Sequence, residues 1–284
     1  MEIRRIHVEG PDGRYGLSYA DWAFAGLGAA ARPVVCVHGL TRNGRDFDHL
    51  ARVLAAERRV ICPDIVGRGL SDALTNPGDY ALPTYIAHMA QLLSRLGLAE
   101  VDWVGTSMGG LIGMGLAAMG DDSPIKRLVL NDIGPFLPKA ALGRINTYLG
   151  LDLRFASVEA LEAHLREIHA GFGPLTDAEW RHLAEFSAAR REDGRFGLNY
   201  DQRLGEPMKT GPIEDVDLWP VWDQIRCKVL VIRGLDSDLL LPETAAEMAG
   251  RGPRAEVIVV DGTGHAPALM AKDQIAVVRD WLAA

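Results

Sequence analysis

The sequence has few cysteines and no cluster of them. Its 284 residues include three cysteines, Cys36, Cys62 and Cys227, each in or beside an apolar run. An odd number of cysteines, with no segment of signal-peptide composition at the start of the sequence, does not predict a disulfide framework. No Cys/His grouping has the spacing of metal ligands. We therefore expect buried thiols, no metal site and a cytoplasmic location.

Basic residues and long apolar runs are also scarce. Lys and Arg number 30 against 38 Asp and Glu, which gives a formal charge of -8, and no concentrated basic surface is available for nucleic acid. An apolar run at 22–31 stops at Arg32 and Pro33, so no membrane-spanning segment is predicted. With 48% hydrophobic and 24% charged residues, the composition is that of an ordinary globular protein.

What the chain does have is a regular alternation of two patterns. Short runs rich in Val, Ile and Leu are typical of strands buried on both faces of a parallel sheet. They stand at 34–38, 59–64, 101–105, 127–132, 228–234 and 255–262. Segments with helical spacing stand at 46–57, 84–96, 107–119, 243–250 and 272–283. This alternation, after an opening antiparallel pair, predicts a doubly wound α/β fold that binds ligands at the carboxyl ends of its strands.

The interval from Gly134 to about Pro220 interrupts the alternation. It contains two helical patterns, at 157–172 and 176–192, and a short extended piece at 195–202. A connection of this length is far longer than an ordinary one. We expect a core made of residues 1–133 and 221–284, with residues 134–220 inserted as a helical cap.

One serine stands where a strand is predicted to pass into a helix. Ser107 has a glycine two residues before it and another two residues after it, which matches the G-x-S-x-G pattern of an exposed nucleophile on a tight turn. The same pattern also occurs in purely structural turns. The rest of the chain must therefore decide between the two interpretations.

A serine hydroxyl needs a base to accept its proton and an acid to orient that base. His265 follows the last apolar strand in a Gly-flanked loop, where its ring can reach over the end of the sheet. In the chain order Ser, acid, His, the loop after 228–234 offers Asp236 and Asp238. One of them would bond the histidine, and the other would shape the turn.

The reaction of such a serine also creates an oxyanion, which needs backbone N–H donors. One predicted donor is the amide of Met108, at the start of a helix. The other is the amide of Leu40, in the loop that begins with His38 and Gly39. His38 stands beside a tight turn, and we interpret it as structural rather than as the base.

Together these motifs resemble the α/β-hydrolase family, and more closely its cap-bearing bacterial carboxylesterases. The resemblance rests on His38-Gly39 and on the segments 64–72, 105–110, 234–242 and 262–265. It implies a mostly parallel eight-stranded sheet flanked by helices, and Ser-His-acid chemistry. In the family the acid lies shortly before a proline, and Pro242 therefore favours Asp238 over Asp236. A minority of members carry the acid after the preceding strand, where this chain has Asp132.

The resemblance implies a serine hydrolase that cleaves carboxylic esters of small acyl or aromatic groups, and lactones as cyclic esters, through an acyl-enzyme without metal or organic cofactor. Two alternatives stay open, a C–C bond hydrolase of the meta-cleavage type and a noncatalytic ligand receptor. We expect a monomer or a homodimer. Four residues at the junctions of the insertion are predicted to line the pocket, Phe136, Leu137, Trp219 and Trp222.

Overall fold

The computed structural model of the protein describes residues 1–24 and 31–284. Residues 25–30, most of the apolar run noted above, lie outside the described part. In the described ranges no helix combines the length and the apolar character that a membrane crossing requires. The same ranges contain no group of three or more His, Cys, Asp or Glu side chains arranged to hold a metal ion.

Most of the strands belong to one sheet, and the other four form two separate antiparallel pairs. The strands are β1 Glu2–Gly10, β2 Gly13–Trp22, β3 Ala31–Val37, β4 Arg58–Pro63, β5 Val101–Thr106, β6 Ile125–Asn131, β7 Phe136–Leu137, β8 Ala188–Arg190, β9 Phe196–Leu198, β10 Val216–Asp217, β11 Lys228–Gly234 and β12 Glu256–Val260. Eight of them form a sheet in the order β1-β2-β4-β3-β5-β6-β11-β12, and the two pairs are β7 with β10 and β8 with β9. β1 and β2 run antiparallel to their neighbours, and from β4 to β12 every pairing is parallel. The predicted eight-stranded, mostly parallel sheet is confirmed.

The helices connect the strands as the periodicity predicts. They are α1 Asp48–Leu54, α2 Leu82–Arg95, α3 Met108–Ala117, α4 Lys139–Tyr148, α5 Val158–Ile168, α6 Asp177–Ser187, α7 Trp219–Trp222, α8 Pro242–Gly250 and α9 Lys272–Ala283. Apolar side chains of the central strands point alternately to the two faces, because successive residues of a strand do so. Val35 and Val37 of β3 join one hydrophobic core, and Val34 and Cys36 join the other. The sheet is therefore buried on both faces.

The long connection between β6 and β11 carries the helices α4, α5 and α6. Inside it, α5 and α6 pack on each other through a third hydrophobic cluster that includes Leu161, Leu165 and Trp180. Ser157 caps α5 by accepting the amide of Ala160. Thr176 and Glu179 form a reciprocal capping box at the start of α6, which supplies partners for amides that the helix itself cannot bond. The segment thus has a small core of its own.

Hydrogen bonds join the insertion to two loops of the sheet domain, the loop after β3 and the loop after β12. Asn43 donates its side-chain amide to the carbonyl of Phe186 at 2.9 Å, and Arg42 donates to the Ser187 hydroxyl at 2.8 Å. These bonds fix the end of α6 against the loop after β3. On the other side, the Gly264 amide donates to the Gly171 carbonyl at 2.8 Å. The loops after β3 and β12 are therefore both braced by the insertion.

Candidate active site

Ser107 lies at the sharp junction of β5 and α3. Its backbone has φ 51° and ψ -116°, a conformation that costs energy for any residue with a side chain and is typical of sites that must present one group. Its amide donates to the Asn131 carbonyl at 3.0 Å, and its carbonyl accepts the Gly110 amide at 2.8 Å. The strained turn is thus held by hydrogen bonds on both sides.

The two flanking glycines are required by close packing. A Cβ at Gly105 would lie 2.3 Å from the Gly109 carbonyl oxygen, and a Cβ at Gly109 would lie 2.0 Å from the Val37 carbonyl oxygen. Both distances are far below van der Waals contact, and the obstructing atoms belong to the backbone. Only glycine lets α3 start this close to β3 and β5, and the G-x-S-x-G spacing follows from that closeness.

His265 and Ser107 lie next to each other, as the sequence predicts. The Oγ atom of Ser107 is 3.0 Å from Nε2 of His265, although the two residues are 158 positions apart. The other ring nitrogen, Nδ1, is 2.7 Å from Oδ2 of Asp132. With an ionised Asp132 accepting the Nδ1 proton, Nε2 of the neutral ring is left as the acceptor that faces the serine hydroxyl.

Asp132 is the acid that bonds His265, the role for which the sequence favours Asp238. Its side chain has no exposed surface, and its two oxygens accept three hydrogen bonds. The Gly234 amide donates to Oδ1 at 2.8 Å, the Ser237 hydroxyl donates to Oδ2 at 2.5 Å, and His265 donates to the same oxygen. A buried carboxylate with this many donors is well solvated by the protein itself.

The expectation that Asp238 or Asp236 orients the histidine is wrong in this structure. Both carboxylate oxygens of Asp238 accept from Arg144, with Oδ2 at 2.5 Å from Nε and Oδ1 at 2.8 Å from Nη2. Asp236 is exposed, and the hydrogen bond that fixes it runs from its backbone amide to the Thr263 carbonyl. The physical reason is that β6 and β11 are adjacent parallel strands, so acids after either strand come near the same edge of the sheet.

The Gly39–Leu40 peptide has a fixed orientation. Its carbonyl oxygen, on Gly39, is 2.7 Å from Nδ1 of His38 and accepts the Arg42 amide at 3.1 Å. In a trans peptide the N–H points opposite to the C=O, so the Leu40 amide is turned away from these two donors. Ser107 Cβ would be 3.8 Å from a Cβ placed on Gly39, so this loop lies directly against the serine.

His38 is a neutral structural residue. Its Nε2 accepts the Ile65 amide at 3.0 Å, which leaves Nδ1 to donate to Gly39. Complete burial, with the nearby Arg68 charge adding to it, lowers the pKa of His38 to about 3. The ring therefore carries no charge at pH 7, and both of its nitrogens have partners other than Ser107. This geometry agrees with the structural interpretation of His38.

Arg68 is a buried cation that sequence reasoning missed. Only 1% of the residue is exposed, and its guanidinium donates to the Leu40 carbonyl at 2.9 Å and the Val66 carbonyl at 2.7 Å. Its Nη2 also lies 3.4 Å from Sδ of Met108. Across the described residues it forms no ion pair with a carboxylate. Arg68 therefore places a positive charge next to Leu40 and Met108, the two residues whose amides are the predicted oxyanion donors. In the sequence, Arg68 is marked by its place in the 64–72 motif.

Asn131 is a second residue near the site that the sequence motifs do not identify. Its side-chain amide donates to the Thr106 hydroxyl at 3.0 Å and to the Pro267 carbonyl at 2.8 Å. These bonds join the loop that carries His265 to the ends of β5 and β6. An asparagine at the last position of a buried strand is a recognisable signal, because its side chain needs partners beyond the sheet.

A cleft opens beside Ser107 and His265. The sheet domain contributes the loop after β3. The insertion contributes residues of α4, of the end of α5 and of the segment that follows it, namely Arg144, Ile145, Tyr148, Ile168, His169 and Phe172. Burial and the Arg42 charge hold the pKa of His169 well below its usual value, so this ring is neutral at pH 7. The cleft combines apolar walls with one exposed cation, Arg144.

The four predicted pocket residues lie elsewhere, and that expectation is corrected. Phe136 and Leu137 form β7, which pairs with β10. Trp222 is fully buried and donates its indole N–H to the Arg251 carbonyl at 2.9 Å, and Trp219 packs under the Arg251 guanidinium. These side chains pack the junction of the insertion with the sheet domain, because large aromatic residues gain most from complete burial.

The fold and this arrangement define a member of the α/β-hydrolase class, and the comparisons with known proteins agree. Residues 34–278 match the model of the alpha/beta hydrolase family. A crystal structure of an alpha/beta hydrolase from Novosphingobium aromaticivorans superposes with a TM-score of 0.87 at 35% sequence identity, covering 99% of this chain and 98% of the other. The chain belongs to the alpha/beta hydrolase family and is a hydrolase of that type.

Two curated relatives are similar over nearly their full length. A 3-hydroxybutyrate-oligomer hydrolase from Cupriavidus necator is 44% identical over 275 residues, which cover 94% of this chain and 92% of the relative. A pimeloyl-[acyl-carrier protein] methyl ester esterase from Xanthomonas campestris is 29% identical, over 86% of this chain and 91% of the relative. Both names denote hydrolases, and the second names an ester.

Proposed function

We propose that the protein hydrolyses carboxylic esters through an acyl-enzyme on Ser107. The single observation that carries the proposal is the hydrogen-bonded row Ser107–His265–Asp132. In this mechanism Ser107 attacks the ester carbonyl while Nε2 of His265 accepts the hydroxyl proton. The ring then returns that proton to the leaving alcohol, and Asp132 stabilises the imidazolium that forms in between.

The oxyanion of the tetrahedral intermediate would be bound by the amides of Leu40 and Met108. Neither amide donates a hydrogen bond to another described group, and Met108 begins the ten-residue helix α3. A helix N-terminus favours negative charge. In deacylation, water takes the place of the alcohol and His265 serves as the base again.

We further propose that residues 134–220 act as a cap that sets the acyl specificity. The support is that α4 and the segment after α5 line one side of the cleft, while the loop after β3 lines the other. The substrates would be esters of small or hydroxylated acyl groups, and lactones as their cyclic forms. The 44% identity with the 3-hydroxybutyrate-oligomer hydrolase favours short oligoesters of a hydroxy acid.

The test is a substrate panel with purified protein. It contains p-nitrophenyl esters of increasing acyl length, lactones, the linear ester dimer of 3-hydroxybutyrate, and a vinylogous diketone as the substrate of C–C hydrolases. We expect turnover of the esters by the wild type and its loss in Ser107→Ala. Ser94→Ala, an exposed serine of α2, is the matched control and should behave as the wild type. Cleavage of the diketone alone, or full ester turnover by Ser107→Ala, would contradict the proposal.

A further inference from the structure

The cleft beside Ser107 contains one solvent-accessible cation whose position is fixed by a carboxylate outside the proposed reaction. Arg144 lies on α4, one turn before Tyr148, and both line the cleft together with Ser107 and His265. The side chain of Arg144 is 43% exposed and that of its partner Asp238 is 47% exposed. The pair thus lies at the mouth of the cleft, within reach of a substrate.

The ion pair leaves half of the guanidinium available. Asp238 accepts from Nε and Nη2, which form one edge of the planar group. The Nη1–Nη2 edge carries the remaining donors, and its geometry also suits two oxygens of a carboxylate. Of the carboxylates in residues 1–24 and 31–284, Asp238 is the one that forms an ion pair with Arg144.

The surroundings favour a permanently charged Arg144 with a fixed direction. Hydrogen bonding to Asp238 raises the pKa of Arg144 further. Burial raises the pKa of Asp238, but the hydrogen bonds and charge of Arg144 outweigh it and the result is a lowered pKa. Both partners therefore stay ionised at neutral pH. Burial likewise raises the pKa of Tyr148, so its hydroxyl keeps its proton and can donate to an anion beside Arg144.

We propose that Arg144 binds the free carboxylate of an ester substrate whose acid end lies at the mouth of the cleft, with Asp238 as the residue that positions it. The ligand class is an ester that also carries a carboxylate, such as a short oligoester of a hydroxy acid. This inference rests on the proposed function, since the ester carbonyl must lie at Ser107 while the acid end reaches α4. Arg144 is a specificity residue and takes no part in proton transfer.

The experiment compares two substrates that differ in one group. They are the linear ester dimer of 3-hydroxybutyrate and its methyl ester, in which the terminal carboxylate is masked. We expect the wild type to prefer the free acid, measured as the ratio of the two kcat/KM values. In Arg144→Gln that ratio should fall by roughly ten- to hundredfold, as for loss of hydrogen bonds to a charged group, with the change mainly in KM of the acid.

Removing Arg144 alone leaves Asp238 unpaired, and its charge could repel an anionic substrate. The double variant Arg144→Gln/Asp238→Asn removes this effect and should show the same loss of preference. Arg144→Lys, which keeps the charge but not the planar fork, should retain part of it. Arg226→Gln is the matched control, because Arg226 also forms an exposed ion pair, with Asp121, and neither residue lines the cleft. The ratio for this variant should equal that of the wild type.

The outcomes separate this inference from the proposed function. An equal ratio in the wild type, in Arg144→Gln and in the double variant would overturn the carboxylate site while ester hydrolysis stands. A fall of similar size in Arg226→Gln would also overturn it, since net charge rather than the site would then set the preference. If the wild type cleaves neither compound but cleaves the p-nitrophenyl esters, the proposed substrate class, an ester that also carries a carboxylate, is overturned. If it cleaves no ester at all, the proposed function fails first.

Discussion

Replacing Asp132 by asparagine tests the hydrogen-bonded row Ser107–His265–Asp132 at the acid, for which the sequence offers three candidates. Oδ1 of Asp132 accepts the Gly234 amide, whereas Oδ2 accepts from Ser237 and His265. An asparagine that keeps its oxygen toward Gly234 must turn its NH2 toward His265. The ring would then have to accept at Nδ1 and carry its proton on Nε2, where it can no longer accept from Ser107.

The opposite orientation of the amide is disfavoured by the structure. It would place the NH2 group against the Gly234 amide and leave a buried donor without a partner, at a cost of about 1–3 kcal/mol. Asparagine at 132 therefore selects the wrong tautomer of His265. For a serine hydrolase this change lowers kcat by roughly 10⁴-fold, or about 5 kcal/mol of transition-state stabilisation.

The assay is steady-state hydrolysis of a p-nitrophenyl ester by Asp132→Asn, with circular dichroism and thermal unfolding to show that the fold is retained. Asp236→Asn is the matched control, because this exposed carboxylate contacts neither His265 nor Asp132 and its loss should leave kcat unchanged. Asp238→Asn should lower kcat far less than Asp132→Asn, since its ion pair with Arg144 is half exposed and such pairs contribute about 0–1 kcal/mol. A crippled Asp238→Asn beside an Asp132→Asn of near-normal turnover would refute the assignment.

Three further outcomes are expected. Gly109→Ala should unfold the protein or strongly lower its melting temperature, because the new Cβ meets the Val37 carbonyl oxygen at 2.0 Å; a wild-type melting curve would contradict this packing. The pKa of His38 is lowered to about 3 from about 6.5 in the unfolded chain, so its contribution to stability is present above pH 6.5 and is lost as the pH falls. Measured by denaturant unfolding, the free energy of unfolding should therefore fall between pH 7 and pH 5 by about 2 kcal/mol more in the wild type than in His38→Gln, and equal losses in the two proteins would refute it. Arg68→Met should lower kcat for esters more than it raises KM, because the positive charge beside Leu40 and Met108 is lost. An effect on KM alone would argue against a role of Arg68 in stabilising the oxyanion.

Much of the fold could be predicted from local patterns. The strand at 228–234 was predicted with the bounds that the structure has, and the helix at 272–283 likewise, because each is a run whose periodicity needs no distant information. The same holds for the serine turn, since the glycines at 105 and 109 are required by contacts within one strand–turn–helix unit. The interval 134–220 stands out in the sequence as a break in the alternation, and its role as an inserted cap stays a prediction.

Choices that depend on long-range packing were not predictable in the same way. Asp132 and Asp238 follow adjacent parallel strands, and spacing along the chain does not tell which carboxylate faces His265. That is decided by the donors of Gly234 and Ser237, which gather around Asp132. The pocket residues failed for a similar reason. Which part of residues 134–220 lines the cleft depends on tertiary packing. In the structure residues of α4 line it, whereas Trp219 and Trp222 pack against Arg251.

Trapping the covalent intermediate tests the central claim most directly. The protein is mixed rapidly with p-nitrophenyl acetate, quenched in acid during the first turnover, digested and mapped by mass spectrometry. We predict a burst of p-nitrophenol and an acetyl group on the peptide at Ser107, with neither seen in Ser107→Ala. A wild type that turns over the ester while the acetyl group is found on another residue, or an equal burst from Ser107→Ala, would contradict the account.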